Sequence, residues 1–167
     1  MELSIALLLF IFTLGGISLK LADNYGNDAK GYIAATISGV CMGVLISDSP
    51  SSSSIVLGII VGVTLAGKVD QLNLFLGLVL TLITAITLGF STPDISLLTM
   101  IAVATVIDEV GHNKLASKGI FGKFFQFRMF LKITMVLLVV LNLMRLVYAL
   151  SFLSFDVAYE ITDRIKI

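Results

Sequence analysis

The chain has few of the residues that keep a water-soluble domain in solution. Only 13% of its 167 residues are charged, 57% are hydrophobic and the mean hydropathy is +1.06. Tryptophan is absent, and the single cysteine, Cys41, has no partner for an internal disulfide. The net charge is zero, so nothing indicates a nucleic-acid partner. This composition is not that of a soluble domain and predicts an integral membrane protein whose main partner is the lipid bilayer.

Six apolar runs are separated by short polar segments. A helix needs about twenty apolar residues to cross a hydrocarbon core of roughly 30 Å, so the longer runs predict transmembrane helices. We expect one all-α domain over residues 1–167, a polytopic bundle of six spans in three hairpins, or five spans if one of the shorter runs does not cross. The runs are 3–19, 31–47, 54–67, 72–90, 93–107 and 129–155.

Small residues recur at a spacing of four in two neighbouring runs. Gly39 and Gly43 lie in the second run, and Gly58 and Gly62 lie in the third. Such pairs let two helices in a membrane approach closely. The pattern predicts that the second and third helices pack tightly against each other.

Basic residues are distributed unevenly between the two ends of the expected spans. The first run has no Lys or Arg before it, so we expect a retained membrane anchor rather than a cleaved signal peptide. By the positive-inside rule, the side with more Lys and Arg is cytoplasmic, and six spans then leave both termini outside a cell membrane. The residues on the expected cytoplasmic side are Lys20, Lys30, Lys68, Lys114, Lys118, Lys123, Arg128 and Lys132.

Two segments near the C-terminal end are more polar than the runs beside them. Residues 119–130 mix phenylalanines with Lys123 and Arg128, which predicts a segment lying in the headgroup layer. Residues 156–167 are expected to form a short polar tail.

Three polar clusters each follow the end of an apolar run. We call residues 20–27, 68–73 and 108–113 the first, second and third clusters. Each carries an acid, an adjacent amide or acid, and an asparagine a few residues later, which resembles a weak internal repeat. Because spans alternate in direction, all three clusters are expected at the same side of the membrane. The sequence therefore predicts one carboxylate-rich site there.

The third cluster carries the most specific spacing. Asp108 and Glu109 precede the only histidine, His112, by four and three residues, so all three can share a helix face. With Asp23 and Asp70 from the other clusters, Asp108 and Glu109 are the predicted ligands of a divalent cation, Mg²⁺ or Mn²⁺. His112 is the predicted catalytic residue, as general acid or base or as a further ligand.

Lysines in the same segments favour a phosphate-bearing substrate. Lys30, Lys68 and Lys114 are the predicted phosphate-binding residues. A metal and phosphate at the cytoplasmic face point to an enzyme acting on a lipid phosphate or diphosphate of polyprenyl type, since the metal neutralises leaving-group charge.

The sequence leaves open whether the protein is an enzyme at all. A cation or proton transporter, or a channel component, also uses acids near helix breaks. A non-catalytic membrane subunit or scaffold, working in a homo-oligomer, is the third interpretation. A transporter predicts a polar path across the bilayer, whereas a scaffold predicts acids that point apart into water.

Overall fold

The protein is a bundle of α-helices. The computed structural model describes residues 3–115, 124–125 and 127–165, and within them no strand occurs. The all-α prediction is therefore confirmed for this part of the chain. Three helices, α1, α2 and α5, are long and apolar enough to cross a membrane, whereas α3, α4 and α6 are apolar but shorter. The bounds are α1 Ile5–Tyr25, α2 Ala29–Asp48, α3 Pro50–Leu65, α4 Leu72–Leu88, α5 Ile95–Leu115, α6 Met129–Val140 and α7 Leu146–Ile165.

The last apolar run forms two helices instead of the expected single span. Helix α6 ends at Val140, and Asn142 adopts a left-handed conformation with φ of 56°, which asparagine tolerates better than most residues. The N–H groups of Leu143 and Met144 both donate to the carbonyl oxygen of Leu138, at 2.9 and 3.2 Å, and so satisfy the helix end. The chain reverses there, and α7 returns antiparallel to α6.

This reversal moves the C-terminal end of the chain. Lys20 at the end of α1 pairs with Asp163 near the end of α7 at 3.0 Å. At the opposite end of the bundle, the N–H of Leu3 donates to Asp48 Oδ1 at 2.7 Å. The described ends of the chain thus lie at opposite ends of the bundle, unlike the expectation of both termini on one side. Residues 156–165, expected to form a polar tail, continue α7.

A residue of α5 caps the start of α6. Asp108 accepts a hydrogen bond from the N–H of Phe130 at 3.1 Å through Oδ1 and from the N–H of Leu131 at 2.6 Å through Oδ2. These N–H groups have no partner within their own helix, so the carboxylate satisfies them. Half of the headgroup-layer segment expected over 119–130, residues 119–123 and 126, lies outside the described residues.

Close approaches at glycine join the helices in two pairs. A Cβ on Gly39 of α2 would lie 2.5 Å from the carbonyl oxygen of Gly77 of α4, and one on Gly62 of α3 would lie 2.5 Å from Thr105 Cβ of α5. The small residues therefore permit tight packing, as predicted, but the expected partner is wrong. Helix α2 packs mainly on α4 and α1, and α3 packs mainly on α5.

The two pairs diverge away from the short α2–α3 connection. Ser49 joins α2 to α3, and its side chain accepts from the N–H of Ser52 at 3.3 Å, which fixes that end of the hairpin. Helices α3 and α4 do not pack on each other, since no Cα of one lies within 8 Å of a Cα of the other. A space therefore remains between the α2–α4 pair and the α3–α5 pair, and α1 and α7 line it on another side.

Candidate functional site

Hydrogen bonds join the three polar clusters at one end of the bundle, which we call the polar end. Asn73 donates from its backbone N–H to Asn27 Oδ1 at 3.2 Å and from Nδ2 to the carbonyl oxygen of Ala22 at 2.7 Å, linking the second cluster to the first. Lys68 donates from Nζ to Asn113 Oδ1 at 2.9 Å, linking the second cluster to the third. The clusters are thus neighbours in space as well as similar in sequence.

Helices α6 and α7 bring further charged groups to the polar end. Arg128 pairs with Glu109 at 2.7 Å, and Lys132 pairs with Asp156 at 2.8 Å and with Glu160 at 2.7 Å. These contacts hold α5, α6 and α7 together through ion pairs between side chains. The side chains of Glu109 and Asp156 are only 4% and 3% exposed, and each is paired with one of these cations, as buried carboxylates generally require.

A cavity of about 360 Å³ opens among the helices at the polar end. Its two ends differ in chemistry. The outer end is charged, whereas the deeper part is lined by aliphatic side chains and by small residues of α2 and α4. The polar lining residues are Lys20, Asp23, Lys68, Glu109, His112, Arg128, Tyr159, Glu160 and Asp163, and the deeper ones include Ala35, Ser38, Gly39, Met42, Val56, Ile59, Ile60, Gly77, Leu78, Thr81 and Phe155.

The deeper part extends along the helix axes. Val56 and Val63 both line the cavity from α3 and are seven residues apart, which corresponds to about 10 Å along a helix. Ala35 and Met42 line it over the same number of residues from α2. The cavity is therefore an elongated space below a charged opening, a shape suited to a molecule with a polar head and an apolar chain.

The charges at the cavity opening are already paired with one another. Lys20 lies between Asp23 and Asp163, at 2.9 and 3.0 Å, and Arg128 holds Glu109. Lys68 has the weakest carboxylate contact, 3.7 Å from Glu109, and its side chain is 38% exposed. Of the cations at the opening, Lys68 can therefore turn toward a bound group at the smallest cost.

An aromatic ring supports two of these cations. The guanidinium of Arg128 lies 4.9 Å from the ring centre of Tyr159, and Lys20 Nζ lies 5.2 Å from it. Desolvation favours the neutral form of Arg128, but Tyr159 and Glu109 outweigh it and hold the pKa of the guanidinium above its ordinary value. Arg128 remains a fixed positive charge at the opening.

The four predicted metal ligands lie in different environments. Asp23 and Glu109 line the cavity. Asp108 is buried, and its carboxylate oxygens accept hydrogen bonds from N–H groups at the start of α6. Asp70 is exposed in the α3–α4 connection. Among the residues that the structure describes, no group of three or more His, Cys, Asp or Glu could hold a metal ion.

Of the remaining predicted site residues, some also line the cavity and others lie outside it. His112 and Lys68 line the cavity. Lys30 is exposed, with Nζ 5.4 Å from the ring centre of Tyr25, and Lys114 is exposed near the end of α5. Of the three lysines expected to bind phosphate, Lys68 is therefore the one at the cavity.

Sequence reasoning missed the contribution of α7. Tyr159, Glu160 and Asp163 of α7 line the cavity, and Asp156 of the same helix forms an ion pair with Lys132. These four residues follow one another at spacings of three, one and three, which places them on one helical face. The spacing was a usable signal, but the expectation of a single span ending in a tail separated these residues from the site.

Comparisons of the chain with protein-family models, curated proteins and solved structures found no match.

Proposed function

We propose that this protein binds an amphiphile with a phosphate-type headgroup at the polar end of the bundle. The observation that supports this most directly is the cavity with two chemically different parts. Lys20, Lys68 and Arg128 stand at its opening, while its deeper part offers apolar side chains and little charge. Such a cavity matches a molecule that is anionic at one end and hydrocarbon at the other.

Binding would proceed by exchange of ion-pair partners. The carboxylates at the opening balance the cations, so an incoming phosphate must replace a carboxylate instead of meeting free charge. Lys68 is the first group to exchange because its contact with Glu109 is long and partly exposed. Glu109 also pairs with Arg128, at 2.7 Å in the structure, so loss of Lys68 would not leave it an unpaired buried charge.

The proposed chemistry is a reaction on the lipid phosphate. His112 lines the cavity one helical turn after Glu109, and imidazole is the side chain that most often serves as a general acid or base. A divalent cation, Mg²⁺ or Mn²⁺, would bind on the phosphate together with Asp23 and Glu109, the two predicted ligands that reach the cavity. Asp70 and Asp108 are not needed in this form of the proposal.

Turnover of a prenyl diphosphate, followed with each metal and with a chelator, tests the reaction. We expect phosphate release that requires the metal and falls at least about 100-fold in His112→Asn, the usual scale for a general acid or base. Asp70→Asn is the control and should keep its rate. Binding without turnover would indicate a lipid-binding protein and contradict the proposed enzymatic activity.

We further propose that the polar end faces the cytoplasm. The reversal at Asn142 brings Arg164 to this end, where it lies 5.5 Å from the ring of Phe127, and leaves Arg145 at the other. With Arg164 at the polar end, the positive-inside rule favours a cytoplasmic polar end more strongly than it does for the expected six spans. A membrane-impermeant thiol reagent should label Arg145→Cys but not Lys30→Cys in intact cells, and the reverse result would contradict this orientation.

Binding of dodecyl phosphate to the purified protein in nanodiscs tests the central proposal. We expect Lys68→Gln to lose about tenfold in affinity, because a hydrogen bond to a charged group contributes about 1.5–3 kcal/mol. Lys30→Gln removes an exposed lysine outside the cavity and should bind as the unchanged protein does. Equal losses in both variants, or equal binding of uncharged dodecanol, would contradict a headgroup site at Lys68.

A further inference from the structure

The cavity is bounded by two helices that do not pack on each other. Helices α3 and α4 both contribute to its lining, yet no Cα of one comes within 8 Å of a Cα of the other. Helices α4 and α5, as far as the structure describes them, likewise have no Cα atoms within 8 Å of each other. Direct helix packing therefore does not close the wall between α4 and the α3–α5 pair.

Side chains along this gap are apolar and only half-buried. Ile60 and Val63 of α3 and Leu74 and Leu78 of α4 line the cavity while keeping part of their surface exposed. Residues on the outer sides of the same helices, such as Phe75 at 55%, are more exposed and apolar as well. The helices on both sides of the gap thus present apolar side chains to the cavity and on their outer faces.

Two other sides of the cavity, between α1 and α7 and between α2 and α4, are closed by tight helix packing. A Cβ on Gly16 of α1 would overlap the backbone of Phe155 of α7, and Gly39 of α2 comes equally close to Gly77 of α4. At the inner end, Val56 and Ile55 of α3 are almost fully buried. The gap between α3 and α4, in contrast, combines apolar side chains with an absence of direct helix packing.

We propose that the hydrocarbon chain of the ligand enters the cavity sideways from the bilayer, between α3 and α4, and that the ligand is a membrane lipid presenting one narrow chain. This rests on the proposed function and names its substrate class. A cavity of about 360 Å³ lies at the small end of the usual range of roughly 300–1,000 Å³ for ligand sites, so it accommodates one chain rather than two side by side. The headgroup then remains at Lys68 and Arg128, near the level of the membrane surface.

Fluorescence quenching tests this route, because the chain contains no tryptophan. Phe155 and Phe152 are neighbours on α7, 3% and 1% exposed, with ring centres 6.4 Å apart. Both belong to the hydrophobic core, but of the two Phe155 alone also lines the cavity. Phe155→Trp and Phe152→Trp form a matched pair of single-tryptophan proteins. Each is reconstituted in phosphatidylcholine vesicles with or without bromine on the acyl chains.

We expect brominated chains to quench Phe155→Trp at least twofold more strongly than Phe152→Trp, and dodecyl phosphate to relieve that difference by displacing the chain. Equal quenching of the two, weak or strong, would overturn the lateral route. If Phe155→Trp does not fold, Met42→Trp, half-buried at the cavity on α2, replaces it with the same expected result.

The outcome separates this inference from the proposed function. Dodecyl phosphate binding that depends on Lys68, without selective quenching of Phe155→Trp, would overturn the lateral route and leave the headgroup site in place. Selective quenching without Lys68-dependent binding would support a lipid chain in the cavity and contradict the headgroup site.

Discussion

The two ends of the bundle bury polar groups in different ways. At the hairpin end, where α2 meets α3, polar side chains bind the backbone. Ser54 Oγ accepts from the N–H of Asp94 at 2.9 Å and donates to the carbonyl oxygen of Pro50 at 2.7 Å, and Asp48 accepts from the N–H of Leu3. At the polar end, side chains mostly pair with other side chains, as Lys20 does with Asp163 and Arg128 with Glu109.

This difference separates a structural role from a binding role. Backbone groups have no other partner to take, so the serines of the hairpin end fix the junction between helices. Ion pairs between side chains around a cavity can exchange partners with a ligand, at a cost set by their burial. We expect variants at the hairpin end to change stability alone, and those at the opening of the cavity to change binding.

The largest effect on stability is expected for Lys132→Met. Its Nζ lies 2.8 Å from Asp156 and 2.7 Å from Glu160, and loss of the cation leaves the Asp156 side chain, 3% exposed, without its charge partner. Breaking a buried pair costs about 3–5 kcal/mol, which detergent-mediated unfolding measures. Exposed Lys30→Met is the control, and equal unfolding of the two variants would contradict the structural role of Lys132.

A smaller but clear loss is expected for Asp108→Ala. Without the carboxylate, the N–H groups of Phe130 and Leu131 at the start of α6 lose their acceptor, which costs about 2–3 kcal/mol. Asp108→Asn keeps one acceptor oxygen and should lose less, and exposed Asp70→Ala should lose almost nothing. If metal-dependent turnover disappears in Asp108→Asn while stability stays unchanged, Asp108 is a ligand rather than a cap.

Ser54→Ala probes the hairpin end. Loss of its hydrogen bond with the N–H of Asp94 should lower the free energy of unfolding by about 1 kcal/mol. The affinity for dodecyl phosphate should not change, because Ser54 does not line the cavity and lies at the end opposite the proposed headgroup site. A loss of affinity without a loss of stability would contradict the division between the two ends.

The smallest effect on stability is expected for Lys68→Gln, although its effect on binding is large. A partly exposed pair at 3.7 Å contributes about 0–1 kcal/mol. Unfolding of Lys68→Gln should therefore resemble that of the unchanged protein. A stability loss as large as that of Lys132→Met would mean that the Lys68–Glu109 pair is structural and cannot exchange with a ligand.

The sequence predicted the helical class and the neighbouring polar clusters because apolar runs and their interruptions depend on local composition. It did not predict the reversal after Val140, since one asparagine in an apolar run is a weak signal for a turn. That reversal brings Tyr159 and Asp163 to the site. The sequence also could not show that Asp108 accepts a hydrogen bond from Phe130 at the start of α6, because the two residues are 22 positions apart.

Photolabelling with a dodecyl phosphate analogue that carries a diazirine near the chain end would show where the hydrocarbon chain binds. We expect labelled peptides at the deeper cavity residues Met42, Ile60 and Leu78, with labelling abolished by excess dodecyl phosphate and reduced in Lys68→Gln. Labelling confined to outward-facing positions such as Val136, 53% exposed on α6, and insensitive to competition would contradict a binding site in this cavity.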